Sequence, residues 1–219
     1  KNNLINGNWN ALNILVQNAS TVGLLDLKIL QDKKEKSSSF FDDLKNRKFK
    51  LLYLLGSDNL EFQKNDEFIV YQGSHGDRGA EIADLILPSA TYTEQNGLYE
   101  NLEGRIQECK KASYPIGEAL EDWKIFNQII KKLGFKDYKV KFDELRKEVL
   151  ETAPNFSGIN ELPKKSVIKT NNIETNFFSE KIFIRELDYY YTNSISRSSK
   201  TMSECRQIRQ KIKKDGTNN

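Results

Sequence analysis

The sequence predicts an α/β protein with an open, largely parallel sheet and flanking helices, and two features predict it. Three short apolar runs, "LLYLL", "FIVYQ" and "IADLIL", end in Gly56, Gly73 and Pro88. Such runs suit strands enclosed by other layers, as parallel sheets are. Two amphipathic stretches of helical period follow them, at "EDWKIFNQIIKKLG" and "FDELRKEVLETAP".

Taken in order, "WNALNILVQNAS" sets Trp9, Leu12, Val16 and Ala19 at helical spacing with Leu15 alongside, which predicts a helix. "GLLDLK" reads as a short packed turn. "QDKKEKSSSFFDDLKNRKFK" is polar and reads as a surface loop with one helical turn. "LLYLL", stopped after five residues by Gly56, reads as a strand buried on both faces. "SDNLEFQKND" is a polar connection, and "FIVYQG" a second strand rich in β-formers. "IADLILP" supplies the third.

The helix at "EDWKIFNQIIKKLG" is the plainest. Glu121 and Asp122 stand at its start, where the helix dipole favours negative charge. Lys131 and Lys132 fill its last turn, and Gly134 stops it. Trp123, Phe126, Ile130 and Leu133 are expected to face inward. In the following helix Phe142, Leu145 and Val149 are expected inward, with Pro154 beyond its end. After Pro163 no period is sustained. The aromatics Phe177, Phe178, Phe183, Tyr189, Tyr190 and Tyr191 are too many for free coil, so residues 164–219 read as an extended tail packed on the 1–163 domain or on a partner.

Composition narrows the functional classes. The chain has 219 residues, 34 basic and 31 acidic, with a net charge of +3. The mixed signs give no general footprint for nucleic acid or membrane; only "RQIRQKIKK" is clearly basic, and it reads as a solvated or partner-binding tail. No apolar run is long enough to cross a bilayer. The two cysteines, Cys109 and Cys205, lack the spacing of a cluster or zinc site and read as reduced thiols. The Asn and Lys bias suits an AT-rich, organellar or protist gene.

The segment from Tyr71 to Gln107 holds the only histidine, His75, and Gly73, Gly76 and Gly79 within seven residues. "GSHGDRG" fits neither G-x-G-x-x-G nor a P-loop, so it reads as a tight sheet-to-helix connection. His75 with Asp77 has the form of a base and its orienter, but no nucleophile accompanies them. His75 therefore reads as a loop hydrogen-bonder. Glu94, Glu100 and Glu103 read as polar anchors, with an internal ion pair between Glu103 and Arg105. "GSDN", with Gly56, Asp58 and Asn59, sits where open α/β sheets bind ligands and reads as a bare turn.

"IADLILPSATYTEQNGLYENLEGRIQ" resembles a segment of the molybdopterin-oxidoreductase superfamily. The carrying residues are Ala83, Asp84, Pro88, Glu94, Gly97, Asn101, Glu103, Gly104, Arg105 and Gln107. Together with "YLLGSDNL", "GSHGD" and "SISRSSKTM", the pattern more closely resembles the C-terminal domain of the large iron-sulfur subunits of respiratory complex I. The resemblance runs in blocks from Asn8 to Cys205.

It implies a domain of the peripheral, NADH-oxidising arm on the matrix side of the mitochondrial inner membrane. Its motif residues would be structural, and the chain would be the C-terminal part of a split or longer subunit. The cysteine motifs that hold the family's iron-sulfur clusters are not in this sequence, nor is a molybdenum-ligating segment. The resemblance thus implies no cofactor in this chain, clusters on the N-terminal part of the same subunit, and the other peripheral-arm subunits as partners. Two other readings are half of a working molybdopterin oxidoreductase and a free-standing α/β module binding a small molecule at Gly73–Gly79.

Overall fold

A computed structural model describes residues 5–6, 9–10, 15–16, 18–29, 40–57, 62–136, 138–162 and 188–214. Strands β1 (Ile5–Asn6) and β2 (Trp9–Asn10) come first, then helices α1 (Thr21–Asp26) and α2 (Phe40–Lys45). Next are β3 (Leu51–Leu55), β4 (Phe68–Gly73), α3 (Arg78–Glu81), β5 (Leu85–Pro88), β6 (Gly97–Glu100) and β7 (Ile106–Cys109). Helices α4 (Asp122–Lys132) and α5 (Phe142–Thr152) precede a 3-10 turn at Pro154–Ser157. Then come α6 (Ser194–Ser198) and α7 (Lys200–Lys214).

The three predicted strands form one parallel sheet in the order β3-β4-β5. Burial along β3 alternates: Leu52 and Leu54 are buried, while Leu51 and Leu55 are exposed. In β4 Ile69, Val70, Tyr71 and Gln72 are all buried, so both faces are covered along its middle, while Phe68 at its start is exposed. The expectation that β3 is buried on both faces is corrected: its second face is open to solvent at Leu51 and Leu55. Leu52, Leu54, Ile69 and Tyr71 share one face and form a core with Leu44 of α2. A second core, Ile106, Ala153 and Phe156, seats the β6-β7 hairpin on α5 and the 3-10 turn.

The helix expected from Trp9 to Ala19 is not formed where the structure describes it. Trp9 lies in β2, paired with Asn6, and Leu15 and Val16 are exposed outside any regular element. The competing signal is Gly7-Asn8, a two-residue hairpin dipeptide between the paired positions. The nearby helix is α1, over the stretch read as a packed turn.

Helix α4 stands as expected. Its end is a Schellman stop: Gly134 has φ 81°, and the Phe135 N–H donates to the Ile130 carbonyl. Its inward face is rotated from the expected one. Ile125 is its buried apolar residue; Phe126 is only partly covered, by stacking on Tyr53 at 5.6 Å, and Leu133 is exposed. In α5, Phe142, Leu145 and Val149 do line the second core's cavity. The tail departs from the extended form expected of it, since 194–198 and 200–214 are helical. Phe177, Phe178 and Phe183 lie outside the described residues.

Glycine at position 79 is required by contact. A Cβ there would stand 2.8 Å from the Tyr71 ring and 2.9 Å from the Ser57 carbonyl oxygen, closer than carbon tolerates. Gly79→Ala is expected to destabilise the chain by about 1–3 kcal/mol, the usual scale of overpacking. A thermal melt of the two proteins checks it; an unchanged midpoint would show that Tyr71 yields freely.

Candidate functional site

Ligands of open α/β sheets gather beyond the carboxyl ends of the strands. In this chain those ends are Leu55, Gly73 and Pro88, and the family-pattern residues cluster around them. Gly56, with φ 59°, donates its N–H to the Gln72 carbonyl. Asp58 and Asn59 lie outside the described residues. Gly73 opposes Pro88 in the β4-β5 ladder.

The glycine loop wraps around a side chain of its own strand. A Cβ on Gly73 would overlap the Tyr71 hydroxyl, which donates to the Gly76 carbonyl at 3.4 Å. Gly76 has φ 67°, and Asp77, at φ 125°, is a non-glycine residue in backbone space that L side chains avoid. The Asp77 carboxylate is taken by the Arg197 guanidinium, from α6, and both side chains are mostly covered. His75 Nδ1 meets the Ser74 hydroxyl at 2.8 Å. Asp77 therefore does not orient His75.

Asp84 has a clear structural part. Its carboxylate accepts the Ile69 N–H at 2.8 Å, and its own N–H donates to the Ile69 carbonyl at 2.8 Å. That reciprocal pair starts the β4-β5 ladder. A hydrogen bond from Lys64 at 2.5 Å, then the one from Ile69, holds its carboxyl below the usual aspartate value. Beside it, Ala83 packs on the first core. Glu94 accepts the Thr91 N–H at 3.1 Å, closing a turn.

The β6-β7 hairpin is built by Asn101. Its side-chain oxygen accepts the N–H groups of Glu103 and Arg105, and Gly104 has φ 81° at the tip. Gly97 and Gln107 oppose Cys109 and Tyr99 in the ladder. Glu103 is exposed and the buried Nε of Arg105 has no hydrogen-bond partner, so the expected ion pair between them is not formed. Cys109 and Cys205 are free thiols.

Sequence reasoning missed the polar group at the core of the site. Gln72, fully buried in β4, accepts from the Tyr53 hydroxyl and donates to Asp122 at 2.6 Å. Gln95 donates to the other Asp122 oxygen at 2.9 Å and accepts the Asp122 N–H at 3.1 Å. Beside it the Glu121 carboxylate accepts from Trp123, Lys111 and Lys124. Burial raises the Glu121 pKa, but those three donors outweigh it and hold the carboxyl below its ordinary value. A polar residue ending an apolar strand, Gln72, was the available signal.

The profile of the family described as "Molybdopterin oxidoreductase" matches residues 1–132. The chain belongs to this family. A second profile, for the C-terminal region of the G-type subunit of NADH-ubiquinone oxidoreductase, matches residues 153–205. The chain is 39% identical to the NADH-ubiquinone oxidoreductase 75 kDa subunit of Reclinomonas americana, over 92% of this chain and 29% of that protein. It is 38% identical to the G-type subunit of the NADH-quinone oxidoreductase of Rickettsia typhi, over 98% of this chain and 30% of the relative. The mitochondrial NADH-ubiquinone oxidoreductase 78 kDa subunit of Candida albicans is 36% identical over 93% of this chain and 28% of its own length. The chain thus spans less than a third of these relatives.

Membership of the molybdopterin oxidoreductases raises the question of whether this loop fits a phosphate-bearing pterin. It does not. The space freed by Gly73 and Gly79 is filled by Tyr71, and Asp77, the acid among the loop's charged residues Asp77 and Arg78, is already paired to Arg197. An anion would meet a carboxylate where glycine-rich cradles offer bare N–H groups. Among the described residues no cluster of three or more His, Cys, Asp or Glu is placed to hold a metal, and no helix is long and apolar enough to cross a membrane.

A cavity of about 200 Å³ lies instead between the hairpin and α5, walled by Leu27, Leu98, Phe142, Leu145 and Phe156. Arg146 and Glu108, also in its lining, pair at 2.6 Å.

Two outcomes follow from these geometries. Glu100 is buried, one of its oxygens has no partner, and burial, then the charge and hydrogen bond of Asp26, push its pKa from 4.5 up to about 7. The folded state holds this proton more tightly than the unfolded chain. Stability is therefore fully present below pH 4.5 and drains away as pH rises towards 7. Glu100→Gln should remove that decline, so the mutant's melting temperature should gain on the wild type from pH 5 to 7 and hold its lead above. A constant difference across this range would refute it.

Arg197→Ala should speed amide hydrogen exchange over residues 194–214 by about tenfold or more, the effect of losing a covered ion pair of some 1.5–3 kcal/mol. Exchange in β3, β4 and β5 should stay unchanged. Unaltered exchange in the tail would show that Arg197 does not anchor it.

Proposed function

We propose that this chain is a structural, cofactor-free domain of the peripheral, NADH-oxidising arm of mitochondrial respiratory complex I. One observation carries the reading: the strand ends, where this architecture takes ligands, are filled by the chain's own Tyr71, Gln72, Gln95, Asp122 and Arg197. The family-pattern residues serve turns and ladders, as Asp84 and Asn101 do. Relatives named as NADH-ubiquinone oxidoreductase subunits supply the assembly, and relatives named as mitochondrial supply the compartment. Electron transfer from NADH to ubiquinone belongs to the whole complex. Its iron-sulfur clusters reside in the N-terminal part of the subunit, which is also the chief partner.

The test is made on membranes, with the assembly quantified on native gels. The chain is expected to comigrate with NADH-oxidising activity, and His75→Gln to leave turnover per assembly near normal. A loss of about a hundredfold per assembly, the scale of a missing general base, would overturn the structural reading. Molybdenum near one atom per chain in the purified assembly would favour the working-oxidoreductase alternative.

A further inference from the structure

The sheet has a side that the described residues leave bare. Leu51 opposes Phe68, and Val70 opposes Leu85. Side chains alternate faces along a strand, so Leu51, Phe68 and Leu85 project from one face, Leu51 level with Phe68 and Leu85 one pleat further on beside Val70. They are 58%, 47% and 44% exposed. A monomer does not usually leave a row of large apolar side chains across a sheet in water.

Helix α4 lies over the middle of that face and leaves Leu51 and Leu55, at the two ends of β3, exposed. Its first residue, Asp122, bonds Gln72, and Phe126, one turn on, stacks on Tyr53, which opposes Val70. The helix therefore runs from the carboxyl ends of the strands towards their amino ends. Leu133 and Phe135, which follow it, are 67% and 63% exposed. The bare row and the bare helix end thus lie at the same end of the sheet. On its outer side β3 has no strand neighbour among the described residues, and the sheet stops at three strands, fewer than the usual four to six or so.

We propose that this face, with the open edge of β3, is the seam where the chain docks on the remainder of its own subunit: the part that makes up the other two-thirds or more of each relative. The proposal rests on the functional reading above. An apolar sheet face cut off at an edge has the character of an obligate interface, a core divided between two pieces. A transient partner would meet a polar rim, and nothing charged interrupts the row from Leu51 through Phe68 to Leu85. The occupant brings an apolar element over the row and extends the sheet beside β3.

The experiment places a photo-reactive benzoylphenylalanine at Phe68, at Leu85 and, as a control, at the exposed Ile116, in the full chain expressed in its native membranes. After irradiation, the NADH-oxidising assembly is isolated on native gels and its crosslinked peptides are identified. The proposal expects adducts at positions 68 and 85 about tenfold above position 116. It also expects them to join peptides of the family's preceding region, on this polypeptide or another. Adducts from 68 and 85 to a second copy of this chain, to an unrelated subunit, or to nothing, in an assembly that contains the chain, would overturn the seam while leaving the structural role intact. Absence of the chain from the assembly would overturn both.

Discussion

Gln72 sits in the middle of the fold with no water to satisfy it. Strand β4 is enclosed on both sides, and a buried amide left unpaired would cost about 1–3 kcal/mol. The chain meets this demand with three side chains from three other segments: Tyr53 of β3, Asp122 at the start of α4 and, through Asp122, Gln95 of the loop after β5. Satisfying one buried group thus fixes where α4 begins. With its start fixed and Phe126 laid on Tyr53, the axis of α4 is fixed too. Everything at the carboxyl end of the sheet depends on this arrangement.

Tyr71 does the same for the opposite face. Its ring fills the space that Gly73 and Gly79 leave open, so the loop after β4 closes on protein. The bulk of Tyr71 accounts for the glycines at 73 and 79. Arg197 then covers the one acid that the loop presents, in a backbone conformation costly for aspartate. Through that pair the glycine loop is tied to α6, 120 residues further along the chain.

The amino end of the sheet is the counterpart. There the apolar row is complete and the cover is not. The relatives it matches run about three times the length of this chain, and the proposed seam would set the additional length over this face. The carboxyl end is held by polar bonds within the chain, while Leu51, Phe68 and Leu85 leave apolar surface exposed towards the amino end.

Local pattern by itself determined the three parallel strands, α4 with its glycine stop, and the inward face of α5. Each is encoded within ten to fifteen neighbouring residues, by hydrophobic period and by the conformational preferences of glycine and proline. What only the tertiary structure decided involves groups far apart in the chain: Gln72 with Asp122, Asp77 with Arg197, and Glu100 with Asp26. Sequence reading also set the inward face of α4 at Trp123, Phe126, Ile130 and Leu133, because period alone does not say how wide a sheet the helix meets. Hydrophobic period is a property of one segment. Pairing and desolvation of polar groups arise only when two segments are brought together, and no local pattern specifies the second.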